Sequence, residues 1–235
     1  MEQLSYPMPR IGEDAPEFTA KTTQGEIHFP ADYKGKWVVF FSHPADFTPV
    51  CTTEFMAFAN MAEEFKSLNT ELVGLSVDGL YSHIAWLLTI KDKIDYKGMK
   101  NIDVKFPVID DVSMKVSKKY GMIQPNESET AAVRAVFVID PMGKIRAMIY
   151  YPLSLGRNIQ EIKRILIALQ TSDSFNVAMP AEWQPGEEVI IPPAGSCGIA
   201  KERMEKNKDP KMKCYDWFFC TKPLSEEEVM KVVRK

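Results

Sequence analysis

Residues 37–55 read Trp37-Val38-Val39-Phe40-Phe41-Ser42-His43-Pro44-Ala45-Asp46-Phe47-Thr48-Pro49-Val50-Cys51-Thr52-Thr53-Glu54-Phe55, and the reading of this stretch decides the fold. Trp37–Phe41 is an uninterrupted apolar run of the length of a buried strand. Beyond the polar loop, large apolar side chains return at Phe55, Phe58, Phe65 and Leu68, which is helical spacing. The order is therefore strand, loop, helix. Thr48 is a favourable N-cap residue, and Pro49 suits the first helical position because its missing N–H would have had no intrahelical partner. Cys51 then falls in the first turn of that helix. Unpaired backbone N–H groups and the positive end of the helix dipole favour a thiolate over a thiol there, so a cysteine in this place is poised to react.

Outward from this stretch, strands and helices alternate. Glu71–Val77 reads as a buried strand and Leu80–Asp92 as a helix. Phe106–Ile109 is a short strand, and Ser113–Tyr120 a short helix stopped by Gly121. Ala135–Ile139 and Ile145–Tyr151 are strands split by the turn Asp140-Pro141-Met142-Gly143-Lys144. Asn158–Leu169 is a helix with Ile159, Ile162, Ile165, Leu166 and Leu169 on helical spacing. The first thirty-odd residues, with Pro7, Pro9, Gly12, Pro16, Gly25 and Pro30, read as turns and short extended pieces, order beginning near Ala15–Phe18. This pattern predicts an α/β, thioredoxin-like domain over residues 1–170, a mixed sheet flanked by helices. From about Thr171 the composition changes. Pro180, Pro185, Pro192 and Pro193 interrupt any long element, so residues 171–235 are expected to form a smaller α+β or irregular domain. Its last helix starts at Ser225-Glu226-Glu227-Glu228 with a capping-box arrangement.

The global numbers narrow the function. A 235-residue chain with 45% hydrophobic residues can bury a proper core. Its 29 basic and 32 acidic side chains give a charge of -3, so no positive field holds nucleic acid or an anionic membrane. No run approaches the roughly 18 to 20 apolar residues of a membrane span, and Met1-Glu2-Gln3-Leu4-Ser5 lacks the build of a signal peptide. The expected location is the cytoplasm, where cysteines serve catalysis, redox chemistry or metals more often than structural disulfides. The charged run Lys201, Arg203, Lys206, Lys208, Lys211, Lys213 is diluted by Glu202, Glu205 and Asp209 and reads as a solvated face. The 13 methionines are scattered core filler, and no glycine-rich phosphate loop is present.

Cys51 has three kinds of candidate helper. Thr48, one helical turn earlier, can bring its hydroxyl near the sulfur. Backbone N–H groups of the first turn can bind developing negative charge. A cation can come from Arg134, at the start of a strand expected beside Trp37–Phe41, or from Arg157, just before the Asn158 helix. Each has a plainer reading: Cys51 as a small buried hydrophobe, the arginines as surface ion pairs. Glu54 is either a solvated helix residue or the partner of an active-site arginine. His43 is a base, a metal ligand or a hydrogen-bonded structural residue. Cys214 and Cys220 lack the usual zinc spacing and have no histidine near them in sequence. Cys197 has no assigned role.

Pro44-Ala45-Asp46-Phe47-Thr48-Pro49-Val50-Cys51 resembles the peroxiredoxin signature. Together with Val133-Arg134-Ala135-Val136-Phe137-Val138-Ile139-Asp140 and Tyr150-Tyr151-Pro152-Leu153-Ser154-Leu155-Gly156-Arg157-Asn158, it is similar to the one-cysteine-type subgroup and its archaeal thioredoxin-peroxidase members. The resemblance implies a cofactor-free, metal-free thiol peroxidase acting on hydrogen peroxide and alkyl hydroperoxides. It makes Cys51 the peroxidatic cysteine, with Thr48 holding the peroxide, Pro44 shielding the sulfenic acid and Arg134 stabilising charge. Glu54 and Arg157 match positions that orient this network, His43 borders the site, and Trp86 and Trp217 are candidates for the apolar wall. The resemblance further implies dimers with residues 171–235 as the dimerisation arm, a ring of five dimers, and a resolving cysteine from the neighbouring subunit, with a thioredoxin-like or other thiol as reductant. Cys220 is the favoured resolver and Cys214 its exchange partner; the alternative is a static bond between the two. Two rival functions remain, a thiol-disulfide exchange protein of the same fold and a chaperone-like ring. The first is disfavoured because no second cysteine lies two or three residues from Cys51.

Overall fold

A computed structural model describes residues 8–205 and 211–234, and the chain divides into two compact units, 1–159 and 160–235. In the first unit the run Trp37–Ser42 is β3, buried along its whole length. Successive side chains of a strand point to opposite faces, so Phe40 and Phe41 seed two cores. On one face Phe40 packs with Phe18, Phe29, Tyr120 and Phe137. On the other, Phe41 packs with Phe55, Phe58 and Phe106. A strand that is apolar on both faces needs cover on both, which places β3 inside the sheet.

The sheet confirms the mixed, thioredoxin-like class. Its strands are β1 (Phe18–Thr22), β2 (Gly25–Phe29), β3, β4 (Thr70–Ser76), β5 (Val108–Asp110), β6 (Arg134–Ile139) and β7 (Ile145–Tyr151), in the order β2-β1-β5-β4-β3-β6-β7. β3, β4 and β5 are parallel, while β6 pairs antiparallel to β3 with Phe41 opposite Val136. The helices are α1 (Pro49–Asn60), α2 (Ala62–Ser67), α3 (Leu80–Lys93) and α4 (Lys115–Lys119). Gly121 adopts φ +63°, the left-handed conformation that ends a helix without steric cost.

Several details differ from the sequence reading. The N-terminal extended pieces pair into a hairpin, β1–β2, that extends the sheet through a long-range contact of Thr22 with Ile109. The helix carrying Phe55 and Phe65 is broken at Met61 (φ −101°, ψ 3°) into α1 and α2. β5 begins at Val108 rather than Phe106, and α4 begins at Lys115 because Met114 is left-handed.

The second unit contains most of α5 (Ile159–Phe175), which runs past Leu169, then β8 (Val189–Ile191), α6 (Cys197–Glu205), β9 (Lys213–Asp216), β10 (Phe219–Lys222) and α7 (Glu226–Val233). β8, β10 and β9 form a small antiparallel sheet. The predicted capping box is present: Glu228 N–H donates to Ser225 Oγ, and Ser225 N–H donates back to Glu228 Oε2 at 2.9 Å. Lys206, Lys208 and Asp209 of the charged run, and the extreme N-terminal residues, lie outside the described residues. Among those described, no helix is long and apolar enough to cross a membrane.

Candidate active site

The loop after β3 delivers the signature to the start of α1. Pro49 occupies the first helical turn and Thr48 the N-cap position in extended conformation (φ −106°, ψ 144°). The Thr48 hydroxyl, however, does not cap. It donates 2.8 Å back to the Ala45 carbonyl, so the Thr48 side chain leaves the N–H groups of the first turn unclaimed. Cys51 sits in that turn, fully buried. Pro44 is buried beside the loop, whereas Phe47 is exposed and held at φ +55°.

Strand pairing brings the cation. β6 lies beside β3 as expected, and Arg134 at its first residue is buried. Its Nη1 donates to Cys51 Sγ at 3.3 Å and to Glu54 Oε2 at 2.7 Å. Nε and Nη2 both donate to the Leu153 carbonyl, at 3.1 and 2.7 Å, fixing the plane of the guanidinium. Glu54, one helical turn after Cys51, is not a solvated residue but the buried hub. Arg157 grips it with two parallel bonds, Nε to Oε1 at 2.9 Å and Nη2 to Oε2 at 2.8 Å, and adds its backbone N–H to Oε1 at 2.8 Å. Arg157 Nη1 also donates to the carbonyls of Ser42 and Ala135. Its guanidinium lies over the rings of Phe41 and Phe58. Burial pulls the Arg157 pKa down and Glu54 only partly restores it.

The charge count follows from these contacts. Two guanidinium groups share one carboxylate, leaving one positive charge unbalanced within this buried Arg134–Glu54–Arg157 network. Buried charges are tolerated only when paired and hydrogen-bonded, so the site is complementary to negative charge beside Arg134, whose Nη1 faces Cys51 Sγ.

His43 belongs to a second buried network that the sequence did not disclose in full. Its ring stacks on Trp86 and meets the edge of Phe55. Its Nε2 hydrogen-bonds Asp46 Oδ1 at 2.9 Å, and Asp46 Oδ2 hydrogen-bonds His83 Nδ1 at 2.8 Å. Asp46 is three residues from His43 and was legible as a neighbour; His83 comes from α3 and only the folded chain brings it there. Burial works against the charged carboxylate, but hydrogen bonds from both rings outweigh it and hold Asp46 well below the usual carboxylate range. The three groups are metal-ligand types lying within 4.8 Å of one another, but they are joined directly by hydrogen bonds. Trp86 donates from Nε1 to Thr52 Oγ1 at 3.2 Å and lines a groove of about 480 Å³ with Phe47, Thr48, Pro49, Thr52 and Met56.

Of the residues singled out in the sequence, Cys51, Glu54, Arg134 and Arg157 converge directly, while Thr48, Pro44, His43 and Trp86 surround the same helix start. Trp217, Cys214 and Cys220 belong to the second unit. Cys214 and Cys220 are opposite each other on β9 and β10 and are joined by a disulfide. Trp217 is half-exposed at the turn between them, edge-on to Phe218. Cys197 is a free, exposed thiol.

Residues 11–148 match the AhpC/TSA family, and residues 168–207 match the C-terminal domain of 1-Cys peroxiredoxin. The chain belongs to the peroxiredoxins. It is 66% identical to a peroxiredoxin of Methanosarcina mazei, over 92% of this chain and 98% of that one. Among solved structures, the peroxiredoxin resembles yeast mitochondrial 1-Cys peroxiredoxin (TM-score 0.80, 40% identity, 92% and 100% of the two chains). It also resembles peroxiredoxin 6 of Arenicola marina (TM-score 0.81, 33% identity, 92% and 98%). Membership of this oxidoreductase family makes the chain a thiol peroxidase, as the signature around Cys51 implied.

Proposed function

We propose that this peroxiredoxin reduces hydrogen peroxide and small alkyl hydroperoxides through Cys51. The observation that carries the reading is the 3.3 Å bond from Arg134 Nη1 to Cys51 Sγ in a site with one unbalanced positive charge. The Cys51 thiolate attacks the terminal oxygen of the peroxide, the O–O bond breaks, and the departing oxygen leaves as water or alcohol after taking a proton. Cys51 is left as a sulfenic acid. Thr48 holds the peroxide and the uncapped N–H groups of α1 receive developing charge. Pro44 shields the oxidised sulfur, Glu54 and Arg157 orient Arg134, and His43 and Trp86 border the pocket.

Cys220 of a neighbouring subunit condenses with the sulfenic acid, releasing water and forming a Cys51–Cys220 bond. Attack by the Cys214 thiolate on Cys220 then expels Cys51 as thiolate and leaves the Cys214–Cys220 disulfide. The pairing of those two cysteines across β9 and β10 is what the exchange would produce. A thioredoxin-like or other thiol reductant reopens it, in a cytoplasmic dimer assembled as a pentamer of dimers. A second reading has support from the match to the 1-Cys C-terminal domain. In it the Cys214–Cys220 bond is static and an external thiol reduces Cys51 directly. The yeast relative is described as resolved via glutathione and thioredoxin systems.

Stoichiometric peroxide followed by intact-mass and disulfide mapping separates the readings, using wild type, Cys214→Ser and Cys220→Ser. The exchange cycle gives a Cys51–Cys220 peptide linking two chains, trapped most strongly in Cys214→Ser. Cys51 sulfenic or sulfinic acid without a linked peptide in any of the three overturns it in favour of external reduction. Peroxide consumption persisting in Cys51→Ser overturns the assignment of Cys51 itself.

A further inference from the structure

His83, on α3, reaches Asp46 of the signature loop, and both of its ring nitrogens are engaged. Nδ1 lies 2.8 Å from Asp46 Oδ2 and Nε2 lies 3.1 Å from the Ile109 carbonyl. A carbonyl can only accept, and an ionised carboxylate can only accept. Each nitrogen must therefore donate, which makes the buried ring an imidazolium. Burial pulls its pKa down, but the hydrogen bond and charge of Asp46 outweigh this, and Ile109 O and Asp78 add to the upward shift. His43 is the opposite case. Its Nε2 faces Asp46 Oδ1 and carries the proton, while Nδ1 is buried and has no hydrogen-bond partner among the described residues. Burial lowers its pKa more than Asp46 raises it, so this ring is neutral.

The clamp acts on a strained loop. Phe47 follows Asp46 with φ +55°, a conformation that a bulky residue keeps only when its surroundings over-determine it. Asp46 supplies that restraint: its side chain is held by both rings, and its backbone N–H donates to Asp78 Oδ2 at 2.9 Å. Asp78 is itself fixed by Ser76 Oγ at 2.7 Å. Thr48 comes directly after Phe47, so whatever holds Phe47 sets where the Thr48 hydroxyl stands.

We infer that His83 is a positioning residue for peroxide reduction: as an imidazolium bridging Asp46 and the Ile109 carbonyl, it locks the Pro44–Thr48 loop and fixes His43 as the neutral tautomer protonated at Nε2. The kinetic part rests on Cys51 being the attacking sulfur. The protonation states do not, and they are read without peroxide.

The chain has 3 histidines, so the reduced full-length protein labelled with ¹⁵N-histidine gives a readable long-range ¹H–¹⁵N spectrum. His28→Gln removes the exposed ring, and contacts to Trp86 identify His43. At neutral pH the expected result is one imidazolium, His83, and one neutral ring protonated at Nε2, His43. A singly protonated His83, or His43 protonated at Nδ1, overturns the inference. In stopped-flow fluorescence, His83→Phe is expected to lower the rate constant of Cys51 oxidation by peroxide about tenfold to hundredfold, the size of effect a misplaced positioning group has. Alkylation of Cys51 by iodoacetamide, which needs no peroxide site, stays within about twofold, and His83→Gln, which keeps a donor, recovers most of the peroxide rate. Equal losses in both reactions, or no loss in either, overturn the positioning role. If His83→Phe does not fold, the wild-type spectrum and His83→Gln decide the matter. Peroxide consumption surviving in Cys51→Ser would remove the Cys51 assignment while leaving the spectrum as expected.

Discussion

Cys51 and Cys220 are equally buried, yet their surroundings differ in kind. Cys51 meets a guanidinium within a charge network that lacks one negative charge. Cys220 meets Cys214 across a pair of short strands, and the turn between them exposes Trp217 and Phe218. Burial alone thus says nothing about what a sulfur does. What matters is whether the site would rather hold it as an anion or has already taken its electrons into a covalent bond.

The contrast can be broken at the charge. Arg134→Met removes the contact to Cys51 while keeping the volume, and is expected to lower the rate of peroxide reduction by about 10²- to 10³-fold, the range seen when one stabilising donor is lost. Stopped-flow oxidation measures it, and a loss below about threefold would mean that the arginine is only structural. Glu54→Gln attacks the same network from the other side. It leaves two buried guanidinium groups without their shared carboxylate, and stability should fall by about 3–5 kcal/mol. Urea unfolding checks this; a change under about 1 kcal/mol would show that the network is not held by the ion pairs.

The covalent side is sharpened by reduction. Opening the Cys214–Cys220 bond, which closes a separation of 6 residues, should destabilise the second unit by about 2 kcal/mol on loop-closure grounds. Cys214→Ser with Cys220→Ser should show the same change in urea and leave the first unit's melting unaffected. The smallest effect is the pH dependence from the His43–Asp46–His83 clamp. His83 has a raised folded pKa, so its stabilisation is full below about 6.5 and is lost as pH rises through the folded value. His43 has a lowered folded pKa, so its contribution is present above about 6.5 and is lost on acidification; Asp46 follows it below about 3.9. Stability against pH should therefore be a dome near neutrality, with the alkaline limb flattened in His83→Gln and the upper acid limb in His43→Gln. A profile unchanged by either substitution would disconnect the clamp from folding.

Much of the first unit was legible because its signals are local. A five-residue apolar run, a proline at the first helical position and the glycine after Tyr120 each act over a few residues. The hairpin β1–β2 was harder because its strands are short and its place is set by β5, eighty-odd positions away. Thr48 shows a different limit: its type fitted a cap, but its hydroxyl found the Ala45 carbonyl instead, a choice between two nearby acceptor and donor groups that residue preference does not settle.

By itself the sequence determined that a cysteine falls in the first turn of α1, that Arg134 begins a strand and Arg157 precedes a helix, and that two more cysteines lie together near the chain's end. Only the tertiary structure decided that Glu54 is shared by both arginines and that His83 reaches Asp46 from another helix. The physical reason is distance along the chain. Propensity and capping are properties of neighbours, whereas charge balance in a buried site depends on groups 80 to 103 residues apart that meet only when the sheet is formed.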